Sequence, residues 1–318
     1  RVVKIEVIEE GSAARASLGS GFLVTAEGHA VTNYHVVSKL VHEPDRYRAE
    51  LVASDGDRHP LTLLALDVVH DLAVVRAELR PGAHFELGPV AVEQGDRLYS
   101  LGHPRDLGLS IVEGTYNGHL QHTLYPKIHF TGSINPGMSG GPTISADGEV
   151  VGVNVSTAGN QLSFLVPVDR AAALVERATS PGHEPPADPL EVVARQIREY
   201  QDLYLEGMFT DSAPTVELGG YEVVTEPAPY FRCWGDSERD PPVPYETVYH
   251  YCSTDDRLFI AGDQSSGVVE VDHEMIHSAT LNPWRFHALY TAIFSRDNTP
   301  AGAEEHVTRW ECSTRNAR

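Results

Sequence analysis

Ile134-Asn135-Pro136-Gly137-Met138-Ser139-Gly140-Gly141-Pro142 is the stretch on which the reading of this chain turns. One serine stands at the centre of a run of glycines. Gly137, Gly140 and Gly141 permit backbone angles that a side chain would forbid. Such a loop can expose a single hydroxyl and aim successive backbone N–H groups at one point, which suits a nucleophile with an oxyanion hole. A glycine-rich turn between two strands is the other meaning of the same residues.

Two upstream stretches bear on the choice. Thr32-Asn33-Tyr34-His35-Val36-Val37 carries a histidine at the end of a strand-like run, and His70-Asp71-Leu72-Ala73-Val74-Val75 opens a strand with an aspartate. A serine hydroxyl needs a base, and imidazole titrates near neutrality. The imidazole in turn needs a carboxylate to set its tautomer and stabilise its cation. Taken singly, His35 reads as a histidine at a strand-to-helix junction and Asp71 as a strand-start residue. Together with the glycine-rich loop, His35, Asp71 and Ser139 form a candidate catalytic set.

Around these motifs the pattern is β. Val3, Ile5 and Val7 alternate with Lys4 and Glu6, as in a half-buried strand. A hairpin is expected over residues 22–32, with its turn at Glu27-Gly28. Further strands are expected over 61–66, 72–76, 97–101, 109–113, 127–131, 143–145, 150–155 and 163–168. Many short strands at this spacing indicate an all-β barrel or sandwich. After Asp169 the period becomes helical, through Ala172, Leu174, Val175 and Ala178. A Pro- and Gly-rich segment at 179–189 reads as a linker. Helical spacing returns over Leu190–Tyr204, with Asp188 and Pro189 at its start, and again over Trp284–Phe294, with Asn282 as cap.

Residues 1–178 resemble trypsin-like serine proteases of the HtrA (Deg) type. The resemblance runs through Gly19-Ser20-Gly21-Phe22, Thr32–Val37, Asp71-Leu72-Ala73-Val74, Gly95-Asp96, Leu101-Gly102-His103-Pro104, Asn135–Pro142, Gly148–Asn154 and Phe164–Asp169. It implies a chymotrypsin-like double β-barrel over 1–178; the residue pattern beyond it adds a linker over 179–189 and a separate α+β domain over 190–318, for a mainly β chain. The resemblance carries nucleophile onto Ser139, base onto His35 and orienting carboxylate onto Asp71. It places the oxyanion hole on Gly137, Met138 and Ser139. A primary pocket would lie between Ser133 and Ile134 on one side and Val155, Ser156 and Thr157 on the other, with no acidic residue at its base. Met138 stands where the family carries asparagine or aspartate, and only its backbone is needed there. No PDZ-like loop follows Asp169, so PDZ-type regulation is not implied.

Residues 190–318 suggest no known domain. They contain His273-Glu274-Met275-Ile276-His277, an H-E-x-x-H. On a helix this pattern can hold zinc. The preceding Gly267-Val268-Val269-Glu270-Val271 favours a strand, on which the two histidines lie roughly 13 Å apart, and no third ligand is well placed. No metal and no cofactor are therefore expected.

The net charge of −21 argues against nucleic acid or anionic membrane as a partner. No apolar run approaches the roughly 20 residues of a spanning helix, and the chain opens directly on a strand-like pattern without a leader. Cys233, Cys252 and Cys312 read either as three thiols or as one disulfide and one thiol in an exported protein. Three functions follow: a serine endopeptidase on unfolded or exported polypeptides outside the cytoplasm, a binding or chaperone protein on the same scaffold, or a peptidase with a second, zinc-dependent site.

Overall fold

The computed structural model describes residues 1–297 except 81, 158–161, 209–212, 239–242 and 255–256; of 156–157 and 294–297 it describes only the backbone. Six antiparallel strands close the first barrel: β1 (Val2–Glu9), β2 (Arg15–Leu23), β3 (His29–Thr32), β4 (Tyr47–Val52), β5 (Arg58–Asp67) and β6 (Leu72–Ala77), in the order β1-β2-β3-β6-β5-β4. A helix, α1 (Tyr34–His42), follows β3. The second barrel takes β7 (Arg97–Gly102), β8 (Ser110–His119), β9 (Ile128–Phe130), β10 (Pro142–Ile144), β11 (Val150–Thr157) and β12 (Ser163–Pro167), in the order β10-β11-β12-β9-β8-β7. Closure leaves neither barrel a free sheet edge.

The alternation in β1 buries Val3, Ile5 and Val7 as expected, but Glu6 is also buried, at 5 % exposure. Its carboxylate is neutralised by Arg58 (2.5 Å), Arg15 (3.0 Å) and Lys4 (3.2 Å). Burial alone would raise its pKa, and these three cations together outweigh burial and hold it below the ordinary value. Lys4 and Arg15 also reach Asp106, each at 2.7 Å. Asp106 lies in the short turn after β7, so the cluster joins the first barrel to the entry of the second. Phe22, Val24, Val31, Val74, Val150, Val153, Val166 and Leu174 share one core cluster, which runs through both barrels and α2 (Val168–Thr179).

The sequence missed β4. Its apolar face, Tyr47, Ala49 and Leu51, is short and interleaved with Arg48 and Glu50, whose charges pair on the outside.

The compact units do not divide at the linker. One unit comprises Arg1–Pro214, Val224–Arg232 and Cys252–Glu270; the other comprises Thr215–Val223, Cys233–Tyr251 and Val271–Arg318. α3 (Pro189–Met208), started by Asp188 Oδ1 accepting from the Leu190 N–H at 2.9 Å, thus belongs with the barrels. Its Val193 packs with Tyr34, Val41, Leu66 and Val68. Its Gln196 accepts from the Val68 N–H (2.8 Å) and donates to the Leu66 carbonyl (3.0 Å). In the linker itself, His183 Nε2 donates to the Leu64 carbonyl at 2.9 Å. Composition marked a loop there, and a loop says nothing about what the next helix packs against.

Beyond α3 stand the hairpin β13 (Thr215–Leu218) and β14 (Tyr221–Val224) and a sheet of β15 (Arg232–Glu238), β16 (Glu246–Ser253) and β19 (Glu270–His277). A hairpin of β17 (Phe259–Ala261) and β18 (Gln264–Ser265) and the helix α4 (Pro283–Asp297) complete the described elements. Asn282 caps α4, accepting from the Arg285 N–H at 3.0 Å. Cys233 and Cys252 are disulfide-bonded. Cys312 lies outside the described residues. Among the described residues no helix is long and apolar enough to cross a membrane.

Gln196→Leu keeps the volume of the side chain but removes the partner of the Val68 N–H and one of the donors to the Leu66 carbonyl, which Arg177 Nη2 also reaches at 3.3 Å. We expect a loss of about 1–3 kcal/mol, read by urea denaturation of the full chain. A change within error would show that α3 is not clamped to the first barrel through Gln196.

Candidate active site

His35 is the second residue of α1, one turn later than the strand end that the sequence suggested. The N-cap residue, Asn33, makes no capping bond with its side chain. Asp71 takes over that task from the entry of β6: its Oδ1 accepts from the His35 backbone N–H at 2.8 Å. Its Oδ2 accepts from His35 Nδ1 at 2.6 Å. Asp71 itself sits at φ +54°, a left-handed conformation that aspartate tolerates better than most residues. Its carbonyl is held by Asn33 Nδ2 (2.8 Å) and by the Tyr34 N–H (3.2 Å).

One carboxylate thus fixes both the backbone and the ring of His35. With the proton on Nδ1, the neutral ring presents Nε2 as an acceptor. Burial pulls the His35 pKa down, but the charge of Asp71 and its hydrogen bond together outweigh burial, so the net shift is upward.

The glycines of the Ser139 loop are required by close approach. Gly137 has φ +98°, and a Cβ there would lie 2.5 Å from the His103 carbonyl. Gly140 has φ +83°, and its Cβ would lie 2.3 Å from the Ser20 carbonyl and 2.4 Å from Thr32 Oγ1. The Pro136 carbonyl accepts from the Arg105 N–H at 2.9 Å. Because a trans peptide points its C=O and N–H in opposite directions, the Gly137 N–H faces away from Arg105.

The Met138 N–H is used elsewhere: it closes a turn onto the Asn135 carbonyl at 2.9 Å. Of the three residues expected at the oxyanion hole, Gly137 and Ser139 therefore remain as donors. The Met138 side chain is fully buried, in the core of the second barrel. Ser139 Oγ donates to the Val155 carbonyl at 3.2 Å.

Two residues that sequence reasoning passed over hold this loop. Ser20, fully buried on β2, accepts from the His103 N–H (2.9 Å) and donates to the Gly137 carbonyl (2.7 Å). Its own N–H donates to the Ser139 carbonyl at 2.8 Å. Asn154, fully buried on β11, donates to the Leu101 and Met138 carbonyls, each at 3.1 Å. It accepts from Ser100 (2.9 Å) and Thr143 (2.6 Å). Each is a polar residue flanked by glycine or apolar positions, Gly19 and Gly21 for Ser20 and Val153 and Val155 for Asn154, and that anomaly was the available signal.

The primary pocket is redrawn in one respect. Ile134 is 4 % exposed and packs inside the second barrel with Leu98, Phe130 and Leu165, so its side chain faces the core. Ser133 is exposed and Val155 is half-buried. Ser156 and Thr157 continue β11, and their side chains lie outside the described ones. His273, Glu274 and His277 lie on β19, a strand rather than a helix.

Residues 19–153 match the family model "Trypsin-like peptidase domain". Among curated relatives, mitochondrial serine protease HTRA2 of Bos taurus is 34 % identical over 190 residues, 55 % of this chain and 40 % of that protein. A probable periplasmic serine endoprotease, DegP-like, of Chlamydia pneumoniae is 30 % identical over 185 residues, 55 % of this chain and 37 % of that protein. Among solved structures, the serine endoprotease from Yersinia pestis aligns with a TM-score of 0.48 at 24 % identity, over 57 % of this chain and 64 % of that one. The N-terminal segment of the chain is thus similar to HtrA-type serine proteases and matches the trypsin-like peptidase domain. The match spans less than half the length of either curated relative.

Two outcomes test this geometry. In an NMR titration His35 should titrate above the free-imidazole value of about 6.5, and Asp71→Asn should bring it down. Because the folded pKa is raised, the pair's contribution to stability is complete below the unfolded value and is lost as pH rises through the folded one. A His35 titration unaffected by Asp71→Asn would refute the pairing. Ser20→Ala leaves the Gly137 carbonyl and the His103 N–H without their partner. We expect a loss of about 1–3 kcal/mol in chemical denaturation, together with slower labelling of Ser139 by a fluorophosphonate; unchanged labelling would show that Ser20 does not set the loop.

Proposed function

We propose that the chain is a serine endopeptidase that hydrolyses polypeptides through an acyl-enzyme, with Ser139 as nucleophile, His35 as base and Asp71 as the orienting carboxylate. The observation that carries this reading is the double hold of Asp71 on His35. A carboxylate bound to both the ring and the backbone of one histidine supplies orientation, tautomer and charge stabilisation at once.

In the first step the Ser139 hydroxyl leaves the Val155 carbonyl, gives its proton to His35 Nε2, and Oγ bonds to the substrate carbonyl carbon. The Gly137 and Ser139 N–H groups receive the developing oxyanion, in place of water and without reorganisation. His35 then passes the proton to the leaving amine, the C–N bond breaks, and the acyl group stays on Ser139. Water, deprotonated by the same imidazole, releases it. Only neutral His35 can act as base, and its raised pKa therefore puts the acid limb of kcat/KM above about 6.5.

Exported or unfolded polypeptides are the substrate class we assign, and the site we assign is outside the cytosol. The relatives' names, periplasmic in one case and mitochondrial in the other, support this, as does the presence of a disulfide-bonded pair of cysteines. A binding protein on the same scaffold would need neither the His35–Asp71 pair nor the free Gly137 N–H.

Ser139→Ala should remove casein hydrolysis by at least about three powers of ten and abolish fluorophosphonate labelling, with the melting temperature retained. Casein cleavage by this variant at the wild-type rate would exclude Ser139 as nucleophile.

A further inference from the structure

Beside His35 lies a cavity of about 350 Å³. Its lining includes His35, Asp71 and Val155, whose carbonyl accepts the Ser139 hydroxyl. Val68, Val69, Pro126, Phe164, Leu258 and Phe259 make most of its wall apolar. It shares Val155 with the expected primary pocket and includes neither Ser133 nor Ile134. Its size is at the lower end of ligand-holding sites, which run from about 300 to 1,000 Å³: room for one or two large side chains.

Leu258 and Phe259 do not come from the barrels. They belong to the hairpin of β17 and β18, some 120 residues downstream of Ser139 by sequence number and within the same compact unit as the barrels. The Phe259 ring stands edge-on to the His35 imidazole, with centroids 5.8 Å apart and planes at 70°, and it meets Tyr34 at 6.1 Å.

The hairpin is tied down by its backbone. The Tyr34 hydroxyl donates to the Ile260 carbonyl at 2.8 Å, and His42 Nε2 lies 3.2 Å from the same oxygen. Inside the hairpin, the Leu258 N–H donates to Ser266 Oγ and the Ser266 N–H donates to the Leu258 carbonyl, each at 2.8 Å. These bonds describe a fixed wall, and the cavity remains beside it with no hairpin side chain filling it.

We propose that Leu258 and Phe259 form the outer wall of a second substrate subsite, one that takes a large aliphatic or aromatic side chain of a polypeptide lying across His35. The inference rests on the peptidase reading above for its choice of a polypeptide as ligand. The largely apolar wall favours an uncharged side chain: a charged one of either sign would lose water on burial there, and the lining carries charge of both signs, Asp71 against Lys127 and Arg257. Phe259 is thus a specificity residue: its ring supplies contact area next to the imidazole and takes no part in proton transfer.

The test has a binding arm and a cleavage arm, both on the full chain. In the first, N-acetyl-phenylalaninamide and N-acetyl-aspartic acid amide are titrated into the Ser139→Ala protein while the His35 imidazole is followed by NMR. The phenylalanine probe should shift it and the aspartate probe should not. Phe259→Ala should weaken the effect at least about tenfold, and Phe259→Leu should restore most of it. In the second arm, the bonds cut in casein are mapped by mass spectrometry. Wild type should favour a Leu, Met, Phe or Tyr within a few residues of the cut bond, and Phe259→Ala should lose that preference.

No shift with either probe overturns the subsite. So does a preference that survives Phe259→Ala, or a variant in which labelling and all cleavage accelerate together, which would make the hairpin an inhibitory cover. Probe binding without any casein cleavage would retain the subsite and remove the peptidase reading, whereas cleavage with no probe binding would do the reverse.

Discussion

The loop that carries Ser139 touches the first barrel backbone to backbone. At Gly140 there is no room for even a methyl group between the loop and the Ser20 carbonyl, Thr32 Oγ1 and the Asn33 N–H. That contact fixes the distance between the two barrels at the Ser139 loop. Thr32 and Asn33 lead directly into α1 and His35, and Ser20 bonds both Gly137 and Ser139. The registry of the site is thus set by atoms that do no chemistry. A side chain at residue 140 would push the loop away from the first barrel, and with it the hydroxyl from the imidazole.

The charge cluster around Glu6 acts at the same seam from the outer side. Single exposed ion pairs contribute about 0–1 kcal/mol, and most pairs of the first barrel are of that kind. Glu6 differs because it is buried and shares Lys4 and Arg15 with Asp106, whose pKa is held down to about 2 by those two partners. Next to Asp106, the Arg105 N–H holds the Pro136 carbonyl and so sets the direction in which the Gly137 N–H points. Lys4 on β1 is in this way four covalent or hydrogen-bonded steps from the Gly137 N–H.

The barrels were legible in the sequence through the alternation of Val3, Ile5 and Val7 in β1 and through the short apolar run Leu72–Val75 of β6. β4 escaped because its outward residues are charges that pair with their neighbours, so the run Tyr47–Val52 looks polar. His35, Asp71 and Ser139 were legible as residue types in order. Their supports were not: Ser20, Asn154 and Arg105 act through backbone groups far away in sequence, and no local pattern encodes such partners. The division at 179–189 failed for a related reason. Pro and Gly mark where the chain bends, whereas membership of a unit is decided by burial, and α3 turns Val193, Tyr200 and Tyr204 inward. The hairpin at Phe259 has neither helical nor strand periodicity long enough to announce itself.

α3 has an optical consequence. Its tyrosines continue a file of rings that runs from His70 through Tyr125, Tyr200, Tyr204 and Tyr230 to Phe231, with neighbouring centroids 4.8 to 6.1 Å apart. The unit that contains this file has no tryptophan, whereas Trp234 and Trp284 both belong to the other unit. Indole emission excited at its red edge therefore comes from outside the barrels. Loss of order in the other unit can thus be watched through its indoles, separately from the barrels and without attaching a label.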